Sequence, residues 1–373
     1  MDKHLHIVCF DVPYPADYGG VFDLFYKIKS LHKLGTKIHL HCFKYGRGEQ
    51  TELRNYCEEV TYYTRNIGLK GFSFQLPYIA SSRANKNLLQ NLLKDDHPVL
   101  LEGIHCTYFL YKDQLKNKKV FVRLHNVEYE YYYQLAKSEP SFFKKIYLKN
   151  ESRLLKTYER KIAGKAVLLS VSEKDNDTYK KEFGKMNIHY LPVFLPYTSV
   201  TNQEGKGNYC LYHGNLAVSE NEKAAIWLIE NISIGDIPFT VAGKNPSRHL
   251  LHIAKQNKNV SVVANPSLEK MQELISNAQI NVLPSFNSTG IKVKLLNALF
   301  NGRHCAVNNS AVDGTGFESL CHIASDVASF KTLVNKLFNK DFTKEEIYKR
   351  KQLLEKKFNN DENAKQLIQW IWQ

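Results

Sequence analysis

Short apolar runs rich in β-branched residues alternate with longer stretches of helical periodicity along most of the chain. The runs predict five strands in the first half, at His4–Phe10, Lys37–Phe43, Pro98–Gly103, Lys119–His125 and Ala166–Ser172. They predict five more in the second half, at Tyr209–Gly214, Phe239–Gly243, Val260–Ala264, Ile280–Ser285 and His304–Asn308. Helical stretches follow several of them, notably Gly20–Leu34 and Ser141–Ala163. This alternation is typical of α/β domains with parallel sheets.

The alternation is interrupted once, at Leu191–Asn208, where two prolines precede polar and glycine residues. Such a composition is typical of a linker. The chain has 373 residues, a length that favours two domains over one. We therefore expect two doubly wound domains, at residues 1–195 and 196–355, with a final amphipathic helix at 356–373.

The segment Pro284–Val307 contains a helix that is apolar over most of its surface. At about 100° per residue, Gly290, Lys294, Asn297 and Asn301 fall on one narrow stripe of that helix. A solvated helix face is one explanation of the stripe. The alternative is a ligand site, because ligands of open α/β sheets bind at the carboxyl ends of strands and on helix N-termini.

An anion suits the start of this predicted helix. The free N–H groups of Gly290, Ile291 and Lys292 would favour negative charge, and Lys294 would add a full positive charge. A glycine at position 290 would also let a ligand approach the backbone closely. In the first domain, Gly19 and Gly20 open a helix after the first strand in a similar way. Neither G-x-G-x-x-G nor a Walker-type phosphate loop occurs.

Composition restricts the class of protein. The chain is 43% hydrophobic and 24% charged, and no uninterrupted apolar segment is long enough to span a membrane. Its seven cysteines are dispersed, which is typical of reduced thiols in a cytoplasmic protein. The net charge is +14, with 31 Lys and Arg against 21 Asp and Glu in residues 1–195. This excess suits phosphorylated substrates or an anionic membrane surface; because it is dispersed, we expect no nucleic acid partner.

Several segments together resemble the GT-B glycosyltransferases of the family 4 (group 1) type, which retain anomeric configuration. The resemblance extends over nearly the whole length and is carried by the Gly19–Gly20 loop, Arg123–Tyr132, Tyr158–Asp175, Tyr212–Ile232, Val241–Ser247 and Gly290–Asn308. The last is the most specific, since the family usually has G-[IT]-[KR]-x-K-x-x-E-A-x-x-x-G-[KR]-P-V-V there. The resemblance implies a GT-B fold, that is, two Rossmann-like domains with an interdomain cleft, and a last helix that returns to the first domain.

The resemblance also implies a function and a set of site residues. The enzyme would transfer a hexose, mannose among the candidates, from a UDP- or GDP-sugar to a glycan acceptor in polysaccharide biosynthesis. The acceptor hydroxyl would attack the face that the diphosphate leaves, so neither a cofactor nor an obligatory metal is expected. His125 would contact the transferred sugar as the catalytic residue. The other implied substrate-binding residues are Gly19, Gly20, Gly214, Asn215, Gly290, Ile291, Lys292, Lys294 and Asn297.

Departures from the family pattern leave a catalytically silent binding or scaffold subunit as the alternative. The two glutamates that many members carry seven residues apart are Thr289 and Asn297 here. An asparagine can still bond a ribose hydroxyl, but without charge assistance. The usual arginine of the second domain is Asn215, and Lys223 is the nearest candidate for its phosphate-binding lysine.

Other polar motifs have local explanations. Asn126 is expected to cap the helix that follows His125, and Glu128 to occupy its first turn; for either residue the alternative is a contact with the sugar. The D-x-D sequence at Asp175–Asp177 follows Ser172, which predicts a helix cap and not a metal site.

Two H-L-H sequences, at His4–His6 and His39–His41, each place two imidazoles on one strand face. The sequence indicates no third ligand for them, and therefore no metal is expected there.

The segment Pro140–Lys165 combines lysines and arginines with Phe142, Phe143 and Ile146. It is either a solvated helix face or a surface that docks on the inner face of an anionic membrane, where a lipid-linked acceptor would lie.

Overall fold

Two parallel α/β units make up the molecule. The computed structural model describes residues 2–16, 19–233, 235–287 and 289–373. Unit 1 contains Met1–Pro196, Thr289–Ile291 and Phe358–Gln373, and unit 2 contains Tyr197–Ser288 and Lys292–Lys357. Each unit has its own sheet, and every strand pair in both sheets is parallel among the described residues.

The sheet of unit 1 has the described strand order β3-β2-β1-β4-β5-β6-β7. Its strands are β1 (Lys3–Cys9), β2 (Thr36–Lys44), β3 (Glu59–Thr64), β4 (Val99–Glu102), β5 (Val120–Leu124), β6 (Val167–Ser170) and β7 (Ile188–Tyr190). Its helices before the linker are α1 (Gly19–Lys33), α2 (Tyr78–Ser81), α3 (Lys86–Leu92), α4 (Tyr108–Tyr111), α5 (Glu128–Ser138), α6 (Phe142–Ala163) and α7 (Glu173–Phe183). Alternate residues of the central strands enter apolar clusters on opposite faces of the sheet, as with Val8 and Ile7 of β1.

The sheet of unit 2 has the described strand order β10-β9-β8-β11-β12-β13. Its strands are β8 (Cys210–Asn215), β9 (Phe239–Lys244), β10 (Val260–Ala264), β11 (Ile280–Val282), β12 (His304–Val307) and β13 (His322–Ile323). Its helices are α8 (Ser219–Asn231), α9 (Arg248–Lys255), α10 (Leu268–Asn277), α11 (Val293–Asn301), α12 (Asn309–Val312), α13 (Val327–Phe338) and α14 (Lys344–Lys357). In both units the order reverses beside the first strand, which makes each a doubly wound sheet.

The last helix, α15 (Asn360–Trp372), belongs to unit 1. Its apolar face is buried in the cluster that also contains residues of α1, β1 and β2. The indole of Trp370 stacks on the ring of His189 with centroids 4.7 Å apart. The side chain of Asn360 both donates to and accepts from the backbone of Leu195, which fixes the start of the helix.

The ten predicted strands are all present, and three further strands were not predicted. These three, β3, β7 and β13, lie at sheet edges, and two of them have only two or three residues. An edge strand is paired on one side only and lacks a continuous buried pattern, so its sequence signal is weak. No described helix combines the length with the apolar character that crossing a lipid bilayer requires.

Candidate functional site

A network of buried charges lies under the carboxyl ends of the central strands of unit 1. Lys27 of α1 contacts both Asp23 (2.9 Å) and Glu102 at the end of β4 (2.8 Å). The Arg123 guanidinium of β5 holds both carboxylate oxygens of Asp23 at 2.9 Å. Burial disfavours the charge on Asp23, but Arg123 and Lys27 outweigh it and hold its pKa far below the usual range. The network thus contains two anions and two cations, as buried charges require.

His125 extends this network toward the surface. It follows β5, is half-buried, and its Nε2 lies 3.1 Å from Glu102 Oε2. Burial opposes ionisation of Glu102, but Lys27 and the bond to His125 prevail and lower its pKa. Because an ionised carboxylate only accepts hydrogen bonds, Nε2 carries the proton. The other ring nitrogen, Nδ1, is therefore an acceptor in the neutral ring.

The helix after His125 is capped from another helix, so the expected cap by Asn126 is wrong. The N-cap of α5 is Val127, whose side chain offers no oxygen. Instead Glu159 of α6 accepts from the backbone N–H groups of Glu128 and Tyr129, both at 3.0 Å. Burial and the Glu159 charge raise the pKa of Glu128 to about 8, and burial raises that of Glu159 to about 7. Glu128 lies in the first turn as expected, but it is buried, and its raised pKa favours the protonated form at neutral pH.

Gly290 approaches another part of its own chain closely. It belongs to unit 1, has φ of 64°, and a Cβ atom there would lie 2.3 Å from Asn126 Oδ1 and 2.8 Å from the His125 carbonyl oxygen. The glycine is therefore required by its backbone conformation and by this packing. The helix itself starts at Val293, three residues later than expected, with Lys292 as its N-cap. Gly290 and Ile291 precede the helix, so their N–H groups are not part of its N-terminus.

Lys294 is the centre of a polar cluster in unit 2. Its Nζ donates to the Tyr212 hydroxyl (3.2 Å) and to Asn221 Oδ1 (3.0 Å), and it lies 4.8 Å from the centroid of the Tyr212 ring. Both partners are neutral groups. Burial lowers the pKa of Lys294 to about 8, against the opposing charge of Glu220. A cation with neutral hydrogen-bond partners and a lowered pKa gains from a bound anion, which would favour its charged form.

The end of β8 lies beside this cluster. Gly214 is close to Asn221, since a Cβ atom there would come 3.3 Å from the Asn221 side chain. Asn215, the residue at the usual arginine position, is exposed, and its side chain accepts from the N–H of Ala217. His213 is buried, and burial lowers its pKa to about 3. Among these residues, the one that bonds Lys294 is Asn221.

The predicted polar stripe is partly structural. Asn301 is buried, donates to Asn297 Oδ1 (2.9 Å), and accepts from the Thr201 hydroxyl (2.7 Å). Asn297 is half-buried, and its carbonyl oxygen already accepts that bond. Of the four stripe residues, Lys294 and Asn297 are therefore the ones whose half-buried side chains lie on α11 and suit a ligand.

The remaining predicted positions fall in two groups. Gly19 and Gly20 begin α1, the helix that carries Asp23 and Lys27, while Lys292 and Lys223 are half-buried in unit 2. Asp17, Tyr18 and Ser288, in the two predicted glycine loops, lie outside the described residues. The predicted Ser172 cap is confirmed, because its hydroxyl accepts from the Asp175 N–H at 3.0 Å.

Four of the residues that organise these clusters, besides Lys27, were not predicted from the sequence. Glu102 and Asp23 were not singled out, although an acid in an otherwise apolar strand end such as V-L-L-E is a usable signal. Tyr212 and Asn221 were not singled out either, because only the fold brings them to Lys294. Their contacts with a single side chain join β8, α8 and α11.

Comparisons with known proteins agree with this architecture. Residues 207–339 match the family model described as "Glycosyl transferases group 1". An uncharacterised 44.6 kDa protein in the cps region of Klebsiella pneumoniae is 26% identical over 353 residues, covering 88% of this chain and 89% of its own length.

Two solved structures show the extent of the fold similarity. Sucrose-phosphate synthase from Thermosynechococcus elongatus superimposes with a TM-score of 0.69 at 12% identity, covering 99% of this chain and 98% of its own. The lipopolysaccharide outer core galactosyltransferase WaaB superimposes with a TM-score of 0.62 at 15% identity, covering 98% of this chain and all of its own. The chain therefore has the GT-B fold, and the segment that matches the group 1 family model lies almost entirely in its second unit.

Proposed function

We propose that this protein is a retaining glycosyltransferase that moves a hexose from a UDP- or GDP-sugar to a glycan acceptor. The observation that carries the proposal is Lys294, a half-buried lysine held by the neutral Tyr212 hydroxyl and Asn221 amide. It lies in the first turn of α11, inside the segment that matches the group 1 family model. A nucleotide diphosphate supplies the anion that this lysine suits.

The reaction needs little acid–base equipment from the protein. The acceptor hydroxyl forms the new bond to the anomeric carbon on the face from which the diphosphate departs. The bond between that carbon and the diphosphate oxygen breaks, and the departing phosphate takes the hydroxyl proton. The protein aligns the two substrates and stabilises the charge that develops on the diphosphate. We assign the stabilisation of that charge to Lys294, and Lys292 is a second cation of the same segment.

We assign the contact with the transferred sugar to His125. With Nε2–H donating to Glu102, the ring presents Nδ1 as an acceptor for a sugar hydroxyl. The charge network beneath it restricts rotation of the ring, because Glu102 is itself held by Lys27. We assign the ribose to Asn297, whose side-chain amide retains N–H donors after its oxygen accepts from Asn301.

An exposed apolar surface on unit 1 supports the proposal of a lipid-linked acceptor. Phe142, Phe143 and Ile146 in the first turns of α6 are exposed, and Phe143 is 82% accessible. Lys144, Lys145 and Lys149 are interspersed with them. A helix that mixes aromatic and cationic side chains in this way suits the interface of an anionic membrane. We therefore place the protein in the cytoplasm, with peripheral attachment to the inner face of the membrane.

The test is a thermal-shift and calorimetric panel of UDP- and GDP-sugars, with and without Mg²⁺, followed by product analysis with the best ligand. We expect one nucleotide class to bind without Mg²⁺ and to yield product with retained anomeric configuration. Binding of none, or product of inverted configuration, would contradict the proposal. Lys255→Ala is the control for Lys294→Ala, since it removes an exposed lysine of α9 in the same unit.

A catalytically silent binding subunit is the second candidate, and the neutral residues Thr289 and Asn297 favour it. Asn297→Glu separates the two. In an active enzyme it should tighten nucleotide binding by about 1 kcal/mol, the difference between a neutral and a charge-assisted bond. In a silent homologue the natural chain would bind no nucleotide sugar, and the substitution would create binding.

A further inference from the structure

Five histidines gather at the amino-terminal end of the sheet in unit 1. Parallel pairing aligns His6 with His39 and Val8 with His41, so His4, His6, His39 and His41 point from the same face of β1 and β2. His97, from the segment before β4, joins them: its ring stacks on that of His4 with centroids 4.6 Å apart. This end of β1 is opposite to the end that leads to Phe10 and the charge network.

Three of these side chains form a set of convergent ligand atoms. One ring nitrogen from each of His4, His39 and His97 lies within 4.8 Å of the other two. His4 Nδ1 and His39 Nε2 are 3.0 Å apart. Two ligands at about 2.0–2.1 Å from a tetrahedral zinc ion lie about 3.3 Å from one another. The His4 and His39 nitrogens are therefore close to the spacing that such an ion needs, and the His97 nitrogen lies within 4.8 Å of both.

The other two histidines, His6 and His41, have hydrogen-bond partners of their own, as His4 and His39 have in each other. His6 Nε2 contacts both oxygens of Asp95 at 3.1 Å, and its Nδ1 lies 2.9 Å from His41 Nε2. The remaining nitrogen of His41 lies 2.9 Å from the Tyr63 hydroxyl. These rings are buried, whereas His4, His39 and His97 are half-buried and reachable from solvent.

Asp95 connects the buried pair, His6 and His41, with the half-buried histidines. Its carboxylate accepts from the backbone N–H of His97 at 2.9 Å, which fixes the segment carrying the third ligand. It also pairs with Lys118, so its charge is partly compensated. Glu59 lies opposite His39 on β3 and adds a second carboxylate to the surroundings. Lys37, aligned with His4, is paired with Asp2. Such outer carboxylates are common around histidine-bound metals.

We propose that His4, His39 and His97 bind a divalent transition metal of the zinc type, with a fourth position open to solvent. The ion would join β1, β2 and the segment before β4, which are distant in the chain. Three neutral imidazoles and one exchangeable ligand form a normal zinc coordination set. The site is separate from the proposed transferase chemistry and does not depend on it.

The test uses the full chain, purified without a histidine tag, treated with a chelator and kept reduced. Zn²⁺ is then added and quantified by calorimetry and by elemental analysis after gel filtration. We expect one equivalent to bind and the melting temperature to rise. His97→Gln should lower the affinity by at least about 100-fold, more than the loss of an outer-shell partner does. If His97→Gln does not fold, His4→Gln near the chain start replaces it.

Two controls identify the ligands. His252→Gln removes an exposed histidine and should leave binding unchanged. His322→Gln disrupts another of the three clusters of this type among the described residues, formed with His304 and Glu346; the third contains Asp23, Glu102 and His125. Co²⁺ in place of Zn²⁺ should give a tetrahedral visible spectrum without thiolate charge-transfer absorption. The proposal is overturned if wild type binds no Zn²⁺, if His97→Gln and His4→Gln bind normally, or if His322→Gln or a cysteine accounts for the binding.

Discussion

The position of one proton decides which nitrogen of His125 can contact a ligand. Glu102 accepts from Nε2, so Nδ1 is the acceptor. We expect His125→Ala to lower turnover by about 100-fold or more, in the range typical of a positioned proton-handling or hydrogen-bonding group. Affinity for the bare nucleoside diphosphate should change less than about threefold, because the histidine is assigned to the sugar.

His252→Ala serves as the control, since His252 is exposed in unit 2. Steady-state kinetics and calorimetry measure the two quantities. Equal losses in turnover and diphosphate affinity would give His125 a structural role instead.

The lowered pKa of Lys294 predicts that the affinity for a diphosphate depends on pH. Burial lowers it to about 8, so the side chain is charged below that pH and neutral above it. A diphosphate binds the charged form, and its affinity should therefore fall as pH rises through about 8. Lys294→Arg should remove this dependence, because a guanidinium stays charged.

Lys294→Ala should impair nucleotide binding and turnover together. Calorimetric titrations of wild type and the two variants between pH 7 and 9.5 measure nucleotide affinity and its pH dependence. An unchanged affinity in Lys294→Ala would mean that the lysine is only part of the packing of α11.

At the scale of elements, α5 depends on a carboxylate supplied by α6. Glu128 in its first turn has a pKa raised to about 8 by burial and by Glu159. Between its usual pKa and about 8 the folded chain keeps this proton while the unfolded chain loses it, so stability falls as pH rises. Glu128→Gln removes this effect and should raise the free energy of unfolding by about 1–3 kcal/mol at pH 8.

The gain from Glu128→Gln should vanish near pH 4, where both states are protonated. Glu130→Gln, half-buried on the same helix, is the control. Urea titrations at the two pH values measure the difference. A gain that is equal at both pH values would arise from packing and not from the proton.

The first turns of α6 should bind membranes. Replacing Phe142 and Phe143 with serine should abolish cosedimentation with vesicles that contain anionic lipid, and neutral vesicles should bind wild type weakly. Tyr348→Ser, which removes an exposed aromatic of α14, is the matched control. Unchanged binding in the double variant would leave α6 as a solvated face.

The sequence predicts strands well where both faces of the strand are buried, and it predicts other elements less well. The runs at Leu5–Cys9 and Val120–Leu124 are continuously apolar apart from His6 and Arg123, because both faces of these strands are covered. The start of α11 was missed by three residues, since the φ of Gly290 depends on its packing against His125 and Asn126. The third histidine of the proposed metal site was missed for a similar reason: His97 is remote in sequence, and only the pairing of β4 with β1 brings it close.

At the scale of the whole molecule, α15 stabilises unit 1. Leu367 is fully buried in the cluster with α1, β1 and β2. Leu367→Ala should lower the free energy of unfolding by about 2–5 kcal/mol through lost burial and a cavity. Gln366→Ala, its exposed neighbour, should change it by no more than about 0.5 kcal/mol. Chemical denaturation measures both, and similar values for the two variants would mean that α15 does not stabilise the core.

Unit 1 is discontinuous, because its last helix follows unit 2 in the chain, and this affects how it folds during synthesis. The apolar cluster beneath β1 contains Ala364, Leu367 and Ile371, which are synthesised after all of unit 2. A nascent chain elongates at roughly 5–20 residues per second, so the amino-terminal sheet waits on the order of ten seconds or more for its final layer. Unit 2 contains no residue beyond Lys357 and can close first. Chaperone demand in the cell should therefore fall on unit 1 more than on unit 2.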